Sequence, residues 1–539
     1  MDGQSWDYIV VGAGSAGCVL ANRLSASGRH RVLLLEAGKA SHPLSPLPIS
    51  YGALIKNPKA NWCFEAEPEE GMNNRPIPVP RGKLLGGSSS INGLVFVRGQ
   101  RMDYDTWAQL GNRGWSFDDL LPLFRRMEDF EGGEDDLRAT GGPLHVSVSP
   151  DESPLYDALF EAGAQVGLPR NPDYNGASQE GMAKTQTTIR NGRRMSAAHC
   201  YLDPARARAN LRIVTEAHAQ HLIFEGSRCT GIAWREGDPR TGPLRQANAA
   251  REVILSAGSI GSPQLLELSG VGNPEILGRH GIETRHRLDG VGENLRDHIA
   301  PRMVWRIKEK GVTYNDRVQG LGLVWQALRY AFTRKGFLSI PSGPVLAFLR
   351  TRPELETPDM QVHFVPFAIK DISRRKLHPF PGMTVSPYQL RPESVGDLHI
   401  RSADAADAPA IRFNFLSAEL DRRTLLDGLR FIRRLMAAPG MDALRDAELV
   451  PGSEVESDED MMAWIADKAE TAYHPVGTTK MGTDPKAVVD PRLKVHGLDG
   501  LRVADAGIMP TLVSGNTNGP AIMIGEKAAA LILEEQEHA

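Results

Sequence analysis

A glycine-rich turn between two apolar runs lies within the first 36 residues, and no other feature of the sequence restricts the fold as strongly. Residues 7–11 and 31–36 are mainly apolar, as expected of strands buried in a parallel sheet. Residues 15–27 between them carry small side chains on one side and are typical of a helix. A strand, a turn, a helix and a second strand form a βαβ unit. The sequence therefore predicts an α/β domain at the start of the chain.

The turn at residues 12–17, GAGSAG, has the spacing of a dinucleotide-binding motif. Gly12 permits the tight turn, Gly14 lets a pyrophosphate approach the backbone, and Gly17 lets the helix pack closely on the strand. The N-terminus of the helix then faces the phosphates. The first residues of that helix, which we also expect to contact the cofactor, are Ser15 and Ala16.

An acidic residue follows the second apolar run. Glu36 lies 19 positions after Gly17, and Ala37 is next to it. An acid at this spacing binds the ribose hydroxyls of a dinucleotide, so Glu36 and Ala37 are candidate cofactor contacts. The spacing does not distinguish FAD from NAD.

Length and composition restrict the class of protein. A chain of 539 residues exceeds the size at which a single hydrophobic core stops growing, so two lobes are expected. The net charge of -4, from 62 basic and 66 acidic residues, gives no electrostatic basis for binding nucleic acid or an anionic membrane. The four cysteines are widely separated and predict neither a disulfide framework nor a metal site.

The sequence contains no apolar run of membrane-spanning length, so we expect no transmembrane segment. Its first residues lack the basic region of a secretory signal. The expected location is the cytoplasm, with a peripheral position at the inner face of a membrane left open.

Four later segments combine small residues with candidate functional residues. Residues 81–99 include GGSSSING, whose backbone N–H groups can form an anion-binding concavity. Residues 258–272 are typical of a helix under a turn. His474 precedes a proline in AYHPVGTTKMG, and a lone histidine is more often structural than catalytic. Asn518 precedes a Gly-Pro pair at a helix start, where Asn is favoured as the cap and Pro is favoured in the first turn.

Together with the glycine turn, these segments resemble the glucose-methanol-choline family of flavin oxidoreductases from Asp7 to about Glu534. Residues 81–99 and 258–272 are similar to the two signature segments of that family. The resemblance implies that the dinucleotide is FAD and that an alcohol enters from a second domain. It also implies that His474 and Asn518 are the catalytic pair, with a reduced flavin stabilised at the N-terminus of the helix that follows Asn518.

The resemblance implies further contacts by position. The residues expected to cover the flavin are Gly86, Gly87, Ser88 and Asn92. The expected adenine-side turn is Ser256, Ala257 and Gly258, and the residues expected near the ribityl chain are Asp505 and Ala506. Cofactor contacts are also expected next to the helix start, at Asn516 and Thr517. The residues expected to line the alcohol cavity are Ala472 and Tyr473. No metal is expected.

The fold class that follows is α/β, with a Rossmann-like FAD-binding domain built from discontinuous segments. An α+β substrate domain with a largely antiparallel sheet completes it. The predicted pieces of the FAD-binding domain are residues 1–145, 209–300 and 469–539, and those of the substrate domain are 146–208 and 301–468. The runs of strand character in the second substrate piece are 301–308, 360–367, 382–388, 396–401 and 411–415.

Two positions depart from the family pattern. Ile91 stands where some members tether FAD through a histidine, so we expect non-covalent FAD. Pro344 stands where many members that handle choline-like or polar alcohols carry a glutamate, ahead of the run DMQVHF at 359–364. A quaternary ammonium substrate would lose its counter-charge there, so choline is disfavoured.

The predicted function is FAD-dependent oxidation of an aliphatic or aromatic primary alcohol to the aldehyde. His474 would remove the hydroxyl proton as hydride passes to flavin N5, and Asn518 would hold the same oxygen. Oxygen or a quinone-type carrier would accept the electrons. The alternatives are a choline-type amino-alcohol dehydrogenase, an NAD-dependent dehydrogenase and a non-catalytic flavoprotein. The oligomeric state is open.

Overall fold

Two large β-sheets organise the chain in a computed structural model that describes residues 5–371 and 376–537. The strands of these two sheets are, in chain order, β1 (Ser5–Val11), β2 (Val32–Leu35), β3 (Gly181–Lys184), β4 (Leu211–Val214), β5 (Ala217–Glu225), β6 (Arg228–Glu236), β7 (Leu244–Leu255), β8 (Met303–Ile307), β9 (Val345–Leu349), β10 (Met360–Val365), β11 (Gly382–Gln389), β12 (Arg445–Val450) and β13 (Leu501–Val503).

The first sheet has a parallel centre. Its order is β4-β2-β1-β7-β6-β5, with β13 paired to β7. Strands β4, β2, β1, β7 and β13 run parallel to their neighbours, while β5 and β6 form an antiparallel extension of β7. All four residues of β2 are buried, as its apolar sequence predicts. Because β1, β7 and β13 come from the start, middle and end of the chain, the predicted discontinuous Rossmann-like domain is confirmed.

The second sheet is antiparallel throughout. Its order is β12-β8-β11-β10-β9-β3. Side chains alternate across it, so that Val345 and Ala347 lie in one apolar cluster while Leu346 and Phe348 lie in another with Tyr388. The second face is directed toward the candidate site described below. The predicted antiparallel substrate sheet is confirmed, whereas the proposed domain boundaries stay a prediction, and their outermost residues lie outside the described part.

Helices cover the sheets. Those of eight residues or more are α1 (Ser15–Ser25), α2 (Arg101–Gln109), α3 (Phe117–Met127), α4 (Pro154–Gln165), α5 (Gly258–Leu268), α6 (Leu321–Thr333), α7 (Glu419–Ala437), α8 (Asp458–Lys468) and α9 (Asn518–Glu537). Helix α8 begins after Ser457, whose hydroxyl accepts from the N–H of Asp460 and so caps the helix. Helices α2, α3, α4 and α6 were not predicted from the sequence.

Short elements complete the described chain. The short helices and turns of helix are Pro48–Ser50, Tyr51–Leu54, Glu70–Met72, Gly87–Ser90, Ala198–Leu202, Asp203–Ala205, Pro274–Arg279, Phe337–Ser339, Pro439–Met441 and Ala506–Ile508. The short strands are Phe64–Ala66, Ile77–Val79, Glu128–Phe130, Leu144–Val148, Gln186–Thr187, Ile189–Arg190, Arg193–Arg194, Val271–Gly272, His286–Arg287, Ile299–Ala300, Ile369–Asp371, Lys376–Leu377, Asp397–His399, Ala410–Arg412 and Glu470–Thr471.

The first and last helices pack side by side. Glu526 of α9 is fully buried and accepts hydrogen bonds from Arg23 of α1, from Arg126 and from the Tyr201 hydroxyl. The two guanidinium groups balance a carboxylate that could not be buried alone. This contact aligns α9 with α1, so that both helices begin close to the glycine turn.

Candidate active site

The glycine turn leaves a helix N-terminus without a side-chain cap. Gly12 has φ +100°, and a Cβ atom there would lie 2.5 Å from the carbonyl oxygen of Ser256. A Cβ atom at Gly17 would overlap the carbonyl oxygen of Gly12. Gly14 is the N-cap of α1, and no side chain caps that helix. The first N–H groups of α1 are therefore suited to bind an anion such as a pyrophosphate.

The glycine-serine loop crosses directly over this turn. The N–H of Gly86 donates to the carbonyl of Ala13 over 2.7 Å, and a Cβ atom at Gly87 would lie 2.8 Å from Gly14 Cα. Only glycine fits so close an approach. The loop and the helix N-terminus thus form two walls of one cradle.

Two other predicted residues of this loop make hydrogen bonds that hold it in place. The Ser88 hydroxyl accepts from the N–H of Gly82 over 3.2 Å. Asn92 accepts at its side-chain oxygen from Arg194, whose burial lowers its pKa to about 9. Ile91 packs with Leu84 in a small apolar cluster and carries no nucleophile for a covalent flavin link.

Glu36 lies at the edge of the cradle. Its two carboxylate oxygens accept from the N–H groups of Ala13 and Gly38 over 3.0 and 2.8 Å. Burial raises the pKa of this carboxyl to about 7. The half-buried Ala37 lies between Glu36 and Gly38. The structure thus places the predicted ribose-binding acid against the glycine turn.

Asp505 joins the middle and last pieces of the first domain. One carboxylate oxygen accepts from the N–H of Gly258 and the hydroxyl of Ser262, at 2.9 and 2.6 Å. The other oxygen accepts from the N–H of Gly507 over 2.8 Å. Burial raises the pKa of this carboxyl above its ordinary value.

The neighbouring predicted residues are at the same place. The Ser256 hydroxyl donates to the carbonyl of Ala504 over 2.8 Å, and Ala257 is the N-cap of α5. The carbonyl of Ala506 accepts from the N–H of Gly477. The predicted adenine-side and ribityl-side residues therefore meet at one edge of the first sheet.

His474 is held between a histidine and an amide. Its Nδ1 lies 3.0 Å from Nδ1 of His298, and its Nε2 lies 3.0 Å from the side-chain nitrogen of Asn516. Burial lowers the pKa of His474 well below its ordinary value, and the nearby His298 and Arg81 lower it further. His474 is therefore a neutral imidazole at neutral pH.

The hydrogen bonds fix which nitrogen of His474 carries the proton. His298 Nε2 lies 2.9 Å from the carbonyl of Leu390, which can only accept, so that nitrogen carries a hydrogen. Burial lowers the pKa of His298 to about 4, so the ring is neutral and its Nδ1 accepts. His474 must then donate from Nδ1, which leaves a lone pair on Nε2. That lone pair is directed at Asn516.

The orientation of Asn516 supports the same assignment. Its side-chain oxygen accepts from Gln361 over 3.1 Å and from the Tyr388 hydroxyl over 3.4 Å. The amide nitrogen is therefore the atom that faces His474, and it donates to His474 Nε2. The Gln361 side-chain oxygen and His363 Nδ1 are buried without a hydrogen-bond partner. Unpaired buried polar atoms beside the base are suited to bind a polar ligand.

The backbone around His474 is positioned by paired chain segments. Residues Ile299–Ala300 pair with Glu470–Thr471 in antiparallel fashion, which brings His298 beside His474. Asp297 accepts from the backbone N–H of His474 over 2.8 Å and also from the Thr471 hydroxyl. Burial raises the pKa of the Asp297 carboxyl to about 7.

The segment that carries Asn516 is fixed by a buried acid on α2. Asp103 accepts from the N–H and hydroxyl of Ser514 over 2.7 and 2.8 Å. Gln179 donates to the carbonyl of Ser514 over 2.9 Å. Asn516 follows two residues later, so its position depends on these contacts.

The structure corrects the predicted partner of His474. Asn518 is the first residue of α9, and its side-chain oxygen accepts from the Ser15 hydroxyl over 2.7 Å. It thus joins the N-termini of α1 and α9, whereas Asn516 contacts His474. The reason is local geometry, since the helix begins at Asn518 and turns this side chain toward α1. The buried Thr517 between the two asparagines caps the helix through its carbonyl, which accepts from Ala521.

The two predicted lining residues face different surroundings. Ala472 packs against the cluster that contains Tyr388, on the side of His474. The Tyr473 hydroxyl instead lies 3.3 Å from both Arg302 and Glu470, which form an ion pair. Ala472 therefore remains a candidate lining residue, while the side chain of Tyr473 contacts this ion pair.

Sequence reasoning missed four residues of the cluster. Gln361, His363 and Tyr388 lie on one face of the second sheet, and His298 lies opposite them. The run DMQVHF contains Gln361 and His363 two positions apart, and this spacing could have indicated a shared face. His298 follows Asp297 in a segment without periodicity, so no local signal indicated it.

The comparisons with known proteins agree with this geometry. Two profile segments described as GMC oxidoreductase match residues 6–300 and 392–525. The chain belongs to the GMC oxidoreductase family, and it is an FAD-dependent enzyme that acts on CH–OH donors.

Similar proteins are known at the levels of sequence and structure. The chain is 40% identical over 540 residues to the oxygen-dependent choline dehydrogenase of Vibrio vulnificus, covering 99% of this chain and 95% of that protein. The protein of the same name from Escherichia coli O139:H28 is 43% identical over 537 residues, with 98% and 96% covered. Pyridoxine 4-oxidase from Mesorbium loti superposes with a TM-score of 0.88 at 30% identity, covering 99% of both chains. Formate oxidase from Aspergillus oryzae superposes with a TM-score of 0.92 at 29% identity over the whole of both chains.

The residues present fit FAD. The uncapped N-terminus of α1 and the cradle formed by Gly14 and Gly87 suit a pyrophosphate, and Glu36 lies beside them. The N-terminus of α9 lies next to that of α1 through the Ser15–Asn518 hydrogen bond. Two helix N-termini at one place favour a negatively charged group.

The two asparagines should have separable effects. Asn516→Ala removes the amide beside His474 Nε2, so flavin reduction by alcohol should slow about 10²-fold while FAD content is unchanged. Asn518→Ala removes the hydrogen bond to Ser15, so it should mainly lower the FAD retained per polypeptide. Flavin absorbance and anaerobic stopped-flow reduction measure the two effects. Equal slowing in FAD-loaded samples of both variants would contradict the assignment.

Proposed function

We propose that this enzyme oxidises an uncharged primary alcohol to the aldehyde, with His474 Nε2 as the base and Asn516 as its partner. The observation that carries the proposal is the directed series of hydrogen bonds from Asn516 through His474 and His298 to the carbonyl of Leu390. FAD, when bound, supplies the hydride acceptor.

The substrate hydroxyl would take a place between two side chains. Its proton would be donated to His474 Nε2, and its oxygen would accept from the amide of Asn516. The hydrogen bond between these two groups would open first, because the Asn516 amide occupies the lone pair of His474 Nε2, and the substrate hydroxyl would then take its place between them. Loss of the proton makes hydride departure from the carbon favourable, and general-base assistance is typically worth about 10² to 10⁴ in rate.

His298 would stabilise the protonated form of His474. When His474 Nε2 receives the proton, its Nδ1–H still donates to the lone pair on His298 Nδ1. The hydrogen bond becomes charge-assisted and therefore stronger as the reaction proceeds. His298 is thus a positioning residue that also supports the developing positive charge.

The absence of a free carboxylate at this place favours an uncharged substrate. Asp297 uses both oxygens for Thr471 and for backbone N–H groups, and Glu470 pairs with Arg302. Pro344 precedes β9, on the same face as Leu346 by alternation, and offers no charge. A quaternary ammonium group would find no unpaired anion among these residues.

The relatives support a second candidate. The two similar proteins from Vibrio and Escherichia are named as choline dehydrogenases and cover nearly the whole chain. Choline is therefore the comparison substrate for every assay. The electron acceptor in the proposal is oxygen or a quinone-type carrier, and admission of air after anaerobic bleaching of the flavin distinguishes them.

Replacement of His474 tests the proposed base. His474→Ala should retain FAD but lose about 10² to 10⁴ in the rate of anaerobic flavin reduction by benzyl alcohol or hexanol. The matched control is His199→Ala, which removes an exposed histidine paired with Asp203. Normal single-turnover reduction in His474→Ala would exclude His474 from the reaction.

The lowered pKa of His474 predicts an unusual pH profile. The neutral ring is the reactive form, and it persists above its pKa, which lies well below 6.5. The rate of flavin reduction should therefore stay nearly constant from about pH 8 to pH 6.5 and fall only at lower pH. Stopped-flow reduction across this range provides the measurement. Asp297, with its pKa of about 7, also titrates in this range beside His474, so Asp297→Asn is the control. An acidic limb at or above pH 6.5 that persists in this variant would refute the assigned protonation state.

Introduction of a carboxylate at Pro344 tests the preference for uncharged alcohols. Pro344→Glu should raise kcat/KM for choline relative to hexanol by about tenfold, which corresponds to about 1.4 kcal/mol. Pro344→Gln has the same shape without the charge and is the matched control. A wild-type preference for choline over hexanol would show that the choline candidate is correct. Equal effects of the two substitutions would show that position 344 does not face the substrate.

A further inference from the structure

Helix α6 directs its apolar side away from the protein. Leu321, Trp325 and Phe332 are 87%, 65% and 85% exposed, and Leu328 is exposed between them. Their spacing of four, three and four residues places them on one face of the helix. At 1.5 Å per residue this stripe is about 16 Å long.

The opposite face of α6 is the one that holds it to the protein, and it does so through polar groups. Gln326 is buried and accepts from the N–H of Phe337 over 3.2 Å. The buried Tyr330 donates its hydroxyl proton to the carbonyl of Gly192 over 3.0 Å. An amphipathic helix in a globular protein normally buries its apolar face. Here the polar face is buried and the apolar face is available to something else.

The chain around α6 is basic. Between Asp316 and Glu354 there is no acidic residue. The basic residues near the helix are Arg317, Arg329, Arg334 and Lys335, whereas Arg350 and Arg352 further along pair with Glu180 and Asp427. Arg334 and Lys335, directly after the helix, are exposed. The chain as a whole is nearly neutral, but the segment around α6 is locally positive.

We propose that α6 docks this enzyme on a bilayer that contains anionic phospholipid. A helix with a Trp-, Phe- and Leu-rich face and flanking Arg and Lys lies in the membrane interface, where its apolar side chains enter the acyl region. The cations then meet the lipid phosphates. No helix of the described residues is long and apolar enough to span a membrane, so the contact is peripheral.

A second copy of the chain is a poorer occupant of this surface. A two-fold contact would place the same basic segment of each copy in one interface, where like charges repel. A stable dimer also needs roughly 800 Å² of surface per partner, and one helix of 13 residues offers a narrow stripe. Anionic lipid complements both the charge and the apolar face.

The docking helix is close in sequence to the alcohol-binding side of the molecule. The chain continues from α6 to Ser342, whose N–H donates to the carbonyl of Gly93 in the loop over the cradle, at 3.0 Å. Gly343 packs against His363, because a Cβ atom added at Gly343 would lie 3.3 Å from His363 Nδ1. The segment 334–341 therefore connects the docking helix to this wall of the candidate site.

Vesicle flotation of the FAD-loaded enzyme tests the proposal. It should float with phosphatidylcholine vesicles that contain phosphatidylglycerol, and less with phosphatidylcholine alone or at high salt. The double variant Trp325→Ser/Phe332→Ser should bind these vesicles at least about tenfold more weakly. The matched control Leu110→Ser/Leu244→Ser removes two other exposed leucines, at 51% and 46% exposure, and should bind as the wild type does.

A charge variant separates the two parts of the surface. Arg334→Gln/Lys335→Gln should weaken binding to phosphatidylglycerol vesicles and reduce its salt dependence. Flavin absorbance and circular dichroism show that each variant is folded, so the test does not depend on turnover of any alcohol. Failure of the wild type to float, or unchanged flotation of Trp325→Ser/Phe332→Ser, would overturn the proposal. Concentration-dependent dimers that this double variant abolishes, without vesicle binding, would assign α6 to a second copy.

Discussion

The hydrogen bond between the Ser15 hydroxyl and the Asn518 side chain joins two helix N-termini that are 503 residues apart in sequence. The rest of the site depends on this meeting, because it aligns the cradle at Gly14 with the segment that carries Asn516. The buried Glu526 maintains the same alignment further along the two helices. Each helix start has partial positive charge. Placing two of them together is unfavourable without a negative group between or beside them, so the fold favours an anionic cofactor before any specific contact is made.

The chemistry at His474 depends on which ring nitrogens of His474 and His298 carry a hydrogen, and not on a permanent charge. Two buried histidines and one amide, all neutral, form a directed series that ends at a backbone carbonyl. Such a series transmits polarisation without placing a permanent ion in the core. The base is therefore ready in its reactive form, and the cost of burial falls only on the short-lived protonated state. The surrounding carboxylates, Asp297 and Glu470, are used for positioning and for pairing with Arg302.

The fold could be predicted from the sequence because the spacing of apolar residues and of glycines indicates its strands, helices and turns. The apolar runs of β1 and β2 and the glycine spacing are local signals, and the structure has each of them. The site was predicted less completely. The choice between Asn516 and Asn518 depends on the residue at which α9 begins, and the helix begins after Thr517 although Asn is favoured over Thr as a cap. His298 comes to His474 through the pairing of two distant segments, which no local pattern records. The apolar spacing of α6 was a readable helix signal, but no sequence pattern indicates that this face is exposed rather than buried.

The first sheet contains strands from both ends of the chain, and this has a consequence for biosynthesis. Strand β13 pairs with β7, and α9 packs on α1, so the nucleotide-binding lobe lacks one strand and one helix until residues 501–537 have been made. A lobe of this kind cannot be completed as its first piece leaves the ribosome, although N-terminal domains commonly fold in that order. The substrate sheet, whose last strand β12 ends at Val450, is available earlier. Translation therefore delivers the alcohol-binding half first, and the cofactor pocket closes last.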